Sequence, residues 1–330
     1  MTDARRWTQA EVAVLAAAMS RAPSVHNSQP WLLELHGRSA SVLERADIAL
    51  PRHDPLGRDR LLSCGAAVTN LRLAVRRLGW TAPWSRFPDP VRPNEVARVR
   101  PGERLEPTDT ELAAYRAIKS RHSHRAQFTA ESLAPEVVRG LAHGVDVPGV
   151  SARVVDGAAA AELAHVLVHS ASVLRHDRAY QRELAAWTAP GSGPASGDGL
   201  SPVAEHRSLP WAGLVDRHTP IPDDEVLTRR VAAETYLIVT TAGDGRGDHL
   251  HAGMAMEQIW LAATAACLAA SVLTQPLHVA ESRAGLIEHL ELAGYPQALL
   301  RLGHPTETTT PSARRPLDDL VRTREQETTP

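Results

Sequence analysis

The feature that most restricts the fold of this chain is a segment that occurs twice. Residues 65–74 can be laid over residues 253–262, and four of the ten positions are then identical. Apolar residues fill most of the other positions, and both segments are typical of long helices with small residues along one side, which lets two helices pack closely. Coincidence in an Ala-rich chain is the alternative explanation. The repeat predicts two related halves, each built around a long helix.

Helical and extended patterns alternate around both copies of this segment, without a regular β–α–β rhythm. The 330 residues suffice for two domains of ordinary size or one large one. The pattern predicts an α+β fold rather than a doubly wound sheet. We expect helices at about 9–20, 59–78, near Asp109, at 134–143, at 158–185 and at the second copy, with strands at 31–36, 40–44, 235–241, 299–302 and flanking Asn94.

The composition restricts the class of protein. Apolar residues make up 43% of the chain and charged residues 22%, and the net charge of −2 leaves no basic excess for nucleic acid. The longest apolar stretch, residues 259–273, is too short to span a bilayer, and the N-terminus lacks a signal-peptide pattern. Cys64 and Cys267 lie in Ala/Leu-rich runs typical of helices, so we expect core thiols and no disulfide. We expect a cytoplasmic protein that binds neither nucleic acid nor membrane.

A compact anion site is predicted just beyond the helix near Asp109. Arg121, Ser123 and Arg125 place two guanidinium groups and a hydroxyl at every second position, an arrangement that can fork around a phosphate. Lys119 is the only lysine, so arginine content alone indicates nothing and the motif must single these residues out. The alternative is that the arginines cap a helix C-terminus, where positive charge is favourable.

A tight polar turn is predicted at residues 22–31, directly before an apolar strand. Ser24, Asn27 and Gln29 can hydrogen-bond a flat heterocycle while two prolines restrict the backbone. Without a companion motif, these side chains would be expected to form a simple turn network.

At these residues the chain resembles the flavin-dependent nitroreductase superfamily. There the patterns R-x-S-x-[KR]-x-F and P-S-x-x-N-x-Q-P-W both line an FMN site, and this chain carries one copy of each. It is most similar to the Acg-type branch, whose members have about this length, a fused tandem fold and a lid over the flavin. The resemblance implies a nitroreductase-like α+β fold over essentially the whole chain, a tandem that forms a pseudo-dimer.

The resemblance also implies roles for individual residues. Arg121 and the pair Arg314 and Arg315 would hold the FMN phosphate, although such a pair taken alone would be a solvated surface feature. Ser123 would bond the ribityl or phosphate oxygens, and Arg125 would lie over N1/O2 of the ring. No side chain is expected to be catalytic, because flavin N5 carries the chemistry. The implied cofactor-binding residues are Pro23, Ser24, Val25, Asn27, Gln29, Arg121, Ser123, Arg125, Gln275, Pro276, Arg314 and Arg315.

In the superfamily the FMN lies between two subunits, with one motif from each. A chain that fuses two subunits and keeps one copy of each motif would build one FMN site. We therefore expect an N-terminal half at residues 1–106 and a C-terminal half at 107–330, as an intramolecular pseudo-dimer, with a homodimer left open. A Gly/Pro/Ser-rich passage at about 190–224 is interpreted as a linker or a lid, and we expect residues 321–330 to be disordered.

Three functions are compatible with these residues. The first is an FMN-dependent oxidoreductase that passes hydride or electrons between NAD(P)H and a small organic substrate such as a nitroaromatic or a quinone. The second is a protein that sequesters FMN under a lid, with little NAD(P)H-driven turnover. The third is a flavin-dependent dehydrogenase of a specialised substrate. The sequence does not separate them, because the lid geometry decides.

No metal site is expected from the spacing of ligands along the chain. His165 and His169 share a helix face, and His249 and His251 form a second close pair, but no third ligand stands out beside either pair. The HExxH pattern of zinc hydrolases is absent.

Overall fold

The computed structural model describes residues 6–188, 197–199, 215–307 and 312–324. Helices and strands alternate irregularly over these residues, which confirms the predicted α+β class. The helices are α1 (Gln9–Ser20), α2 (Arg58–Arg77), α3 (Asp109–Ser120), α4 (Pro135–His143), α5 (Ala160–His176), α6 (Arg178–Thr188), α7 (Asp224–Ala232), α8 (Arg246–Ala265), α9 (Ala280–His289) and α10 (Leu317–Leu320). The strands are β1 (Trp31–His36), β2 (Ser39–Glu44), β3 (Trp84–Arg86), β4 (Glu95–Val99), β5 (Val150–Val155), β6 (Thr235–Thr241), β7 (Ala269–Leu273), β8 (Tyr295–Gly303) and β9 (Val321–Thr323).

The first sheet has the strand order β3-β4-β2-β1-β9. β1 and β2 form the predicted antiparallel hairpin, with Trp31 opposite Glu44, and Gly37 supplies the left-handed backbone (φ 57°) that the tight turn requires. β9 runs parallel to β1, with Leu33 opposite Val321. The expectation of disorder from residue 321 is therefore wrong for β9, because it gains backbone hydrogen bonds from a distant edge strand that local composition does not reveal.

The second sheet has the order β5-β6-β8-β7, and all of its pairs are antiparallel. Every residue of β8 after Tyr295 is buried, because α8 and α9 pack against this strand. A strand that is buried on both faces gives a continuous apolar run rather than an alternating one. The prediction at 299–302 therefore recognised only the most apolar part of β8.

The two long helices of the repeat, α2 and α8, pack directly against each other. A Cβ atom added to Gly65 would lie 2.1 Å from the Leu250 carbonyl oxygen, and one added to Gly253 would lie 1.9 Å from the Leu62 carbonyl oxygen. Since no Cβ atom fits at these distances, the crossing requires glycine on both helices. The small residues that the sequence aligned are the points of closest approach.

A large hydrophobic core surrounds this crossing and includes side chains from both sheets. A second core cluster lies under α5 and α7, on the other side of the second sheet. Among the described residues, the stretch 157–176 that contains α5 is the one helix long and apolar enough to span a membrane. Eight of its side chains, Leu163 and Leu167 among them, are buried against neighbouring elements, as in the core helix of a globular protein.

The helix expected at 158–185 is two helices, and the single-helix prediction is wrong. Asp177 has an extended backbone (ψ 102°) between α5 and α6, and its Oδ1 accepts hydrogen bonds from the backbone N–H groups of Ala179 and Tyr180. An aspartate that caps the next helix can interrupt an otherwise continuous helical pattern. The sequence contains no glycine or proline here to mark the break.

The apolar run at residues 259–273 divides into the end of α8, a turn and β7. Cys267 lies in that turn with a positive φ of 60° and is exposed, so the expectation that it is a core thiol in a helix is wrong. Cys64 is buried in α2 as expected. Burial raises the pKa of the Cys64 thiol far above its usual value, so it remains protonated.

The expected boundary near residue 106 falls between β4 and α3. It separates the strands of the two sheets, apart from β9, which crosses back to the first sheet. Most of the passage interpreted as a lid, about 190–224, lies outside the described residues; only 197–199 and 215–224 are within them.

Candidate functional site

The polar turn between α1 and β1 has an unusual backbone. His26, Asn27 and Gln29 all have positive φ angles, of 51°, 55° and 50°. Non-glycine residues seldom adopt this conformation, and its cost must be offset by local contacts. Ser24 supplies one such contact, because its Oγ accepts a hydrogen bond from the backbone N–H of Gln29 at 2.9 Å. Such contacts hold the strained turn in one conformation at the edge of a cavity.

The two sequence motifs meet at this cavity, whose empty space, counted together with its opening to solvent, is about 580 Å³. The cavity is lined by α2 and α8, the helices of the repeat, and by the polar turn. Ser123 and Arg125 after α3, and Thr274 and Gln275 after β7, complete its lining. The predicted site residues on its wall are Pro23, Ser24, Val25, Ser123, Arg125 and Gln275.

A buried cluster of charged side chains adjoins the cavity. Arg121 and Arg314 each direct an NH2 group to the Arg21 carbonyl oxygen, at 2.8 and 3.3 Å. Arg121 also lies with its Nε 3.4 Å from a carboxylate oxygen of Glu257 and with its guanidinium 4.4 Å from the centre of the Trp260 ring, which lines the cavity. The sequence prediction that Arg121 and Arg314 act together is therefore compatible with their placement.

This cluster contains more positive than negative charge. Burial, together with a smaller effect of the neighbouring Arg121, lowers the pKa of Arg314 to about 9. Burial raises the pKa of Glu257 to about 7 in spite of Arg121. Arg314 Nε is buried without a hydrogen-bond partner among the described residues, and Arg121 Nε faces only the Glu257 carboxylate at 3.4 Å. An unpartnered guanidinium donor and excess positive charge fit a phosphate.

The other predicted residues do not line the cavity. Asn27 Nδ2 and Gln29 Nε2 both donate to the Gly197 carbonyl oxygen, at 3.1 and 2.7 Å. Arg315 donates its backbone N–H to Gln29 Oε1 and pairs with Asp198 through its guanidinium at 2.5 Å. These side chains fasten two distant segments of the chain to the polar turn. Pro276 is buried beside the cavity, in the short 3-10 turn that begins at Gln275.

A cluster of histidines and an aspartate on the cavity wall was missed by the sequence prediction. Asp59, at the start of α2, lies with its Oδ2 3.4 Å from His53 Nε2 and 3.0 Å from His278 Nε2. His26 packs edge-on against His53, with ring centres 5.0 Å apart, and both His26 and Asp59 line the cavity. The only signal in sequence was the Gly57–Asp59 stretch before the repeated helix, because the histidines are too far apart along the chain to form a motif.

The chain is similar to several known proteins. The model of the Nitroreductase family matches residues 211–304. The Mycobacterium tuberculosis protein named "Putative NAD(P)H nitroreductase Rv3131" is 31% identical over 320 residues, which is 91% of this chain and 88% of that protein. "Putative NAD(P)H nitroreductase acg" of the same organism is 28% identical over 92% of this chain and 93% of its own length. Among solved structures, the FMN-dependent nitroreductase NfnB from Mycobacterium smegmatis, in complex with NADPH, covers 66% of this chain and 100% of its own, with 18% identity and a TM-score of 0.42.

Proposed function

This chain belongs to the nitroreductase family, in its Acg-type branch, and on that premise we propose that it is an FMN-dependent oxidoreductase. The observation that carries the proposal is that Ser123 and Arg125 of one motif line the same cavity as Pro23–Val25 of the other. Its substrates are NAD(P)H and a small organic molecule, and we expect the protein to act in the cytoplasm.

The described residues support a particular orientation of the cofactor. Arg121 and Arg314 would hold the phosphate, because both guanidinium groups are buried together beside the cavity and Arg314 Nε has no hydrogen-bond partner among the described residues. Arg125 lines the cavity and would stabilise negative charge on the reduced ring. Bound FMN would supply the hydride-transfer chemistry, while the protein fixes its position and limits access of water.

The tandem organisation is part of this proposal, with halves at residues 1–106 and 107–330. Gly65 and Gly253 begin the two copies of the repeat, and Leu62 and Leu250 each lie three residues before them. Gly65 therefore contacts Leu250 in the same way as Gly253 contacts Leu62, as in an interface with two-fold symmetry. This symmetry supports a fused pseudo-dimer with one cavity between its halves.

Sequestration of FMN is a second candidate. Its support is that Gly197 and Asp198, within the passage interpreted as a lid, contact Asn27, Gln29 and Arg315 at the polar turn. A passage fastened at this point could cover a bound flavin and keep nicotinamide away from the ring.

Anaerobic reduction of the purified protein, loaded with FMN, tests both candidates. The oxidoreductase predicts rapid bleaching of the flavin absorption after addition of NADPH or NADH. Bleaching with dithionite alone would instead favour sequestration. Protein that is purified colourless and takes up no FMN when titrated with it would contradict both.

A further inference from the structure

Three side chains at the edge of the cavity bring metal-binding atoms close together, and one of them, Asp59, lines the cavity. They are His53, Asp59 and His278, and their ligand atoms all lie within 4.8 Å of one another. His53 and Asp59 are almost fully buried, and His278 is 16% exposed at its side chain. A buried group of two imidazoles and one carboxylate is a common donor set for divalent transition metals.

The two His–Asp distances are close to those expected around a metal ion. Ligands at about 2.0–2.1 Å from a tetrahedral metal are about 3.3 Å apart, and the two His–Asp distances are 3.4 and 3.0 Å. The same geometry separates the centres of two ligating imidazole rings by roughly 5.2 Å. The His53–His278 rings are 5.1 Å apart and the His26–His53 rings 5.0 Å.

A second observation is that the imidazoles lack other partners. Both ring nitrogens of His26 and Nδ1 of His53 are buried without a hydrogen bond to any described residue, and His53 Nε2 faces only the Asp59 carboxylate at 3.4 Å. The two residues are only 3% and 2% exposed. Buried imidazole nitrogens are costly when they are left without a partner, whereas a metal ion would satisfy two of them at once.

Both oxygens of the Asp59 carboxylate also accept hydrogen bonds from neighbouring side chains. Thr274 Oγ1 donates to Asp59 Oδ2 at 2.5 Å, and Arg58 donates to Asp59 Oδ1 at 3.2 Å. Arg58 also donates to the carbonyl oxygens of Thr274 and Leu277. Hydrogen bonds of this kind orient the ligands of metal sites.

We propose that His53, Asp59 and His278 bind one divalent transition metal, best represented by Zn²⁺, on the wall of the cavity. The fourth position is taken by His26 or by a molecule in the cavity, since His26 and Asp59 both face it. The site uses no residue assigned to FMN, so it does not depend on the proposed function.

The test is the metal content of the full-length protein, produced without a polyhistidine tag. The protein is treated with a chelator, dialysed, incubated with Zn²⁺ and analysed for bound metal, and its flavin content is recorded in the same samples. We expect one equivalent of Zn²⁺ per chain and a higher melting temperature in its presence. Co²⁺ in place of Zn²⁺ should give the visible absorption of a tetrahedral site. Wild-type protein that retains no stoichiometric metal would overturn the proposal and leave a water-filled cluster.

Single variants locate the metal. His53→Gln and His278→Gln each remove one ligand while Asp59 keeps its pairing with Arg58, and each should weaken Zn²⁺ binding at least tenfold. The control is His165→Gln, in the exposed i, i+4 pair with His169, which should bind Zn²⁺ as the wild type does. Loss of binding in the control with retention in His53→Gln would mean adventitious surface binding and would overturn the assignment. Folding of each variant is verified by its melting temperature without metal.

Discussion

Arg121, Arg314 and Glu257 are ionisable side chains buried in one small volume, and their charges do not balance. The two arginines face a single carboxylate whose own charge is weakened by burial. In the absence of an anion, this arrangement should cost stability; a bound dianion would offset it. The site is therefore organised for a ligand at the expense of the empty protein.

Replacement of Arg314 separates binding from folding. Arg314→Gln removes a buried cation that is repelled by Arg121, so the flavin-free protein should remain folded. It also removes a charged hydrogen-bond donor to phosphate, which contributes about 1.5–3 kcal/mol, or roughly ten- to a hundredfold in affinity. The measurement is the Kd for FMN by fluorescence titration.

The neighbouring arginine is the matched control. Arg315 pairs with Asp198 rather than pointing to the arginine cluster, so Arg315→Gln should change the Kd by less than about threefold if partly exposed pairs contribute little. Equal losses of affinity in both variants would contradict the placement of the phosphate beside Arg314.

Glu257 should make stability depend on pH. Its pKa is raised from 4.5 to about 7, mainly by burial, so the folded state binds the proton more tightly than the unfolded state. The resulting stabilisation is complete below about pH 4.5 and is lost as the pH rises through 7. Between pH 5 and 8, the flavin-free wild type should lose about 2–3 kcal/mol relative to Glu257→Gln, measured by urea unfolding.

An exposed carboxylate serves as the reference for this measurement. Glu136 is on the surface of α4, where its side chain is 75% exposed beside Arg139. Glu136→Gln should follow the wild-type pH dependence. Parallel curves for the wild type and Glu257→Gln would show that the Glu257 carboxyl is ionised normally.

At the level of secondary-structure elements, the crossing of α2 and α8 determines the shape of the cavity. Leu62 and Ser63 of α2 and Met256 and Trp260 of α8 line it, within one or two helical turns of the glycine contacts. Any increase in the distance between these helices would move both walls. The close packing of α2 against α8 is therefore directly coupled to the candidate site.

Gly253→Ala should destabilise the protein strongly. The new Cβ would lie 1.9 Å from a backbone oxygen and 2.6 Å from the Cα of Leu62, neither of which can rotate away. Overpacking of this kind costs about 1–3 kcal/mol or more, and the displaced helices should also weaken FMN binding. Chemical denaturation and FMN titration measure the two effects.

Gly140 provides the opposite case. It lies in the exposed interior of α4, and nothing is within 4 Å of an added Cβ. Gly140→Ala should therefore stabilise the protein by about 0.5–1 kcal/mol, because alanine is the better helix former. If Gly253→Ala behaved like Gly140→Ala, the two long helices could not be in direct backbone contact.

At the level of the whole molecule, both ends of the chain and its middle meet at one cavity. The polar turn precedes the first sheet, the anion motif follows α3, and the segment around Arg314 returns just before β9 completes the first sheet. One chain therefore contains all the residues assigned to the site. If the proposed pseudo-dimer is correct, a second copy is not needed to complete the site.

This arrangement predicts one FMN per chain in a monomer. The flavin-to-protein ratio should approach one at concentrations where light scattering gives the mass of a single chain. A ratio near two would mean that each half binds its own flavin. Loss of flavin upon dissociation of a dimer would mean that the site is shared between copies.

Much of the fold was predictable because its signals are local. The hairpin at Gly37, the strand at 235–241 and the ends of α1 and α2 follow from short-range periodicity and turn residues. The errors occurred where a distant contact overrode the local pattern. β9 exists because β1 offers it an edge, and the run at 259–273 changes from helix to strand at Cys267 because β7 pairs with β8.

The sequence by itself determined the two motifs and the repeated helix, because each consists of residues that are close along the chain. The motifs in turn determined the family. Only the tertiary structure decided that Arg314 lies beside Arg121 while Arg315 does not, and that His53, Asp59 and His278 converge. His53 and His278 are more than two hundred residues apart along the chain, and their proximity depends on how the helices and sheets pack. Packing is a property of the whole core, which no short sequence pattern encodes.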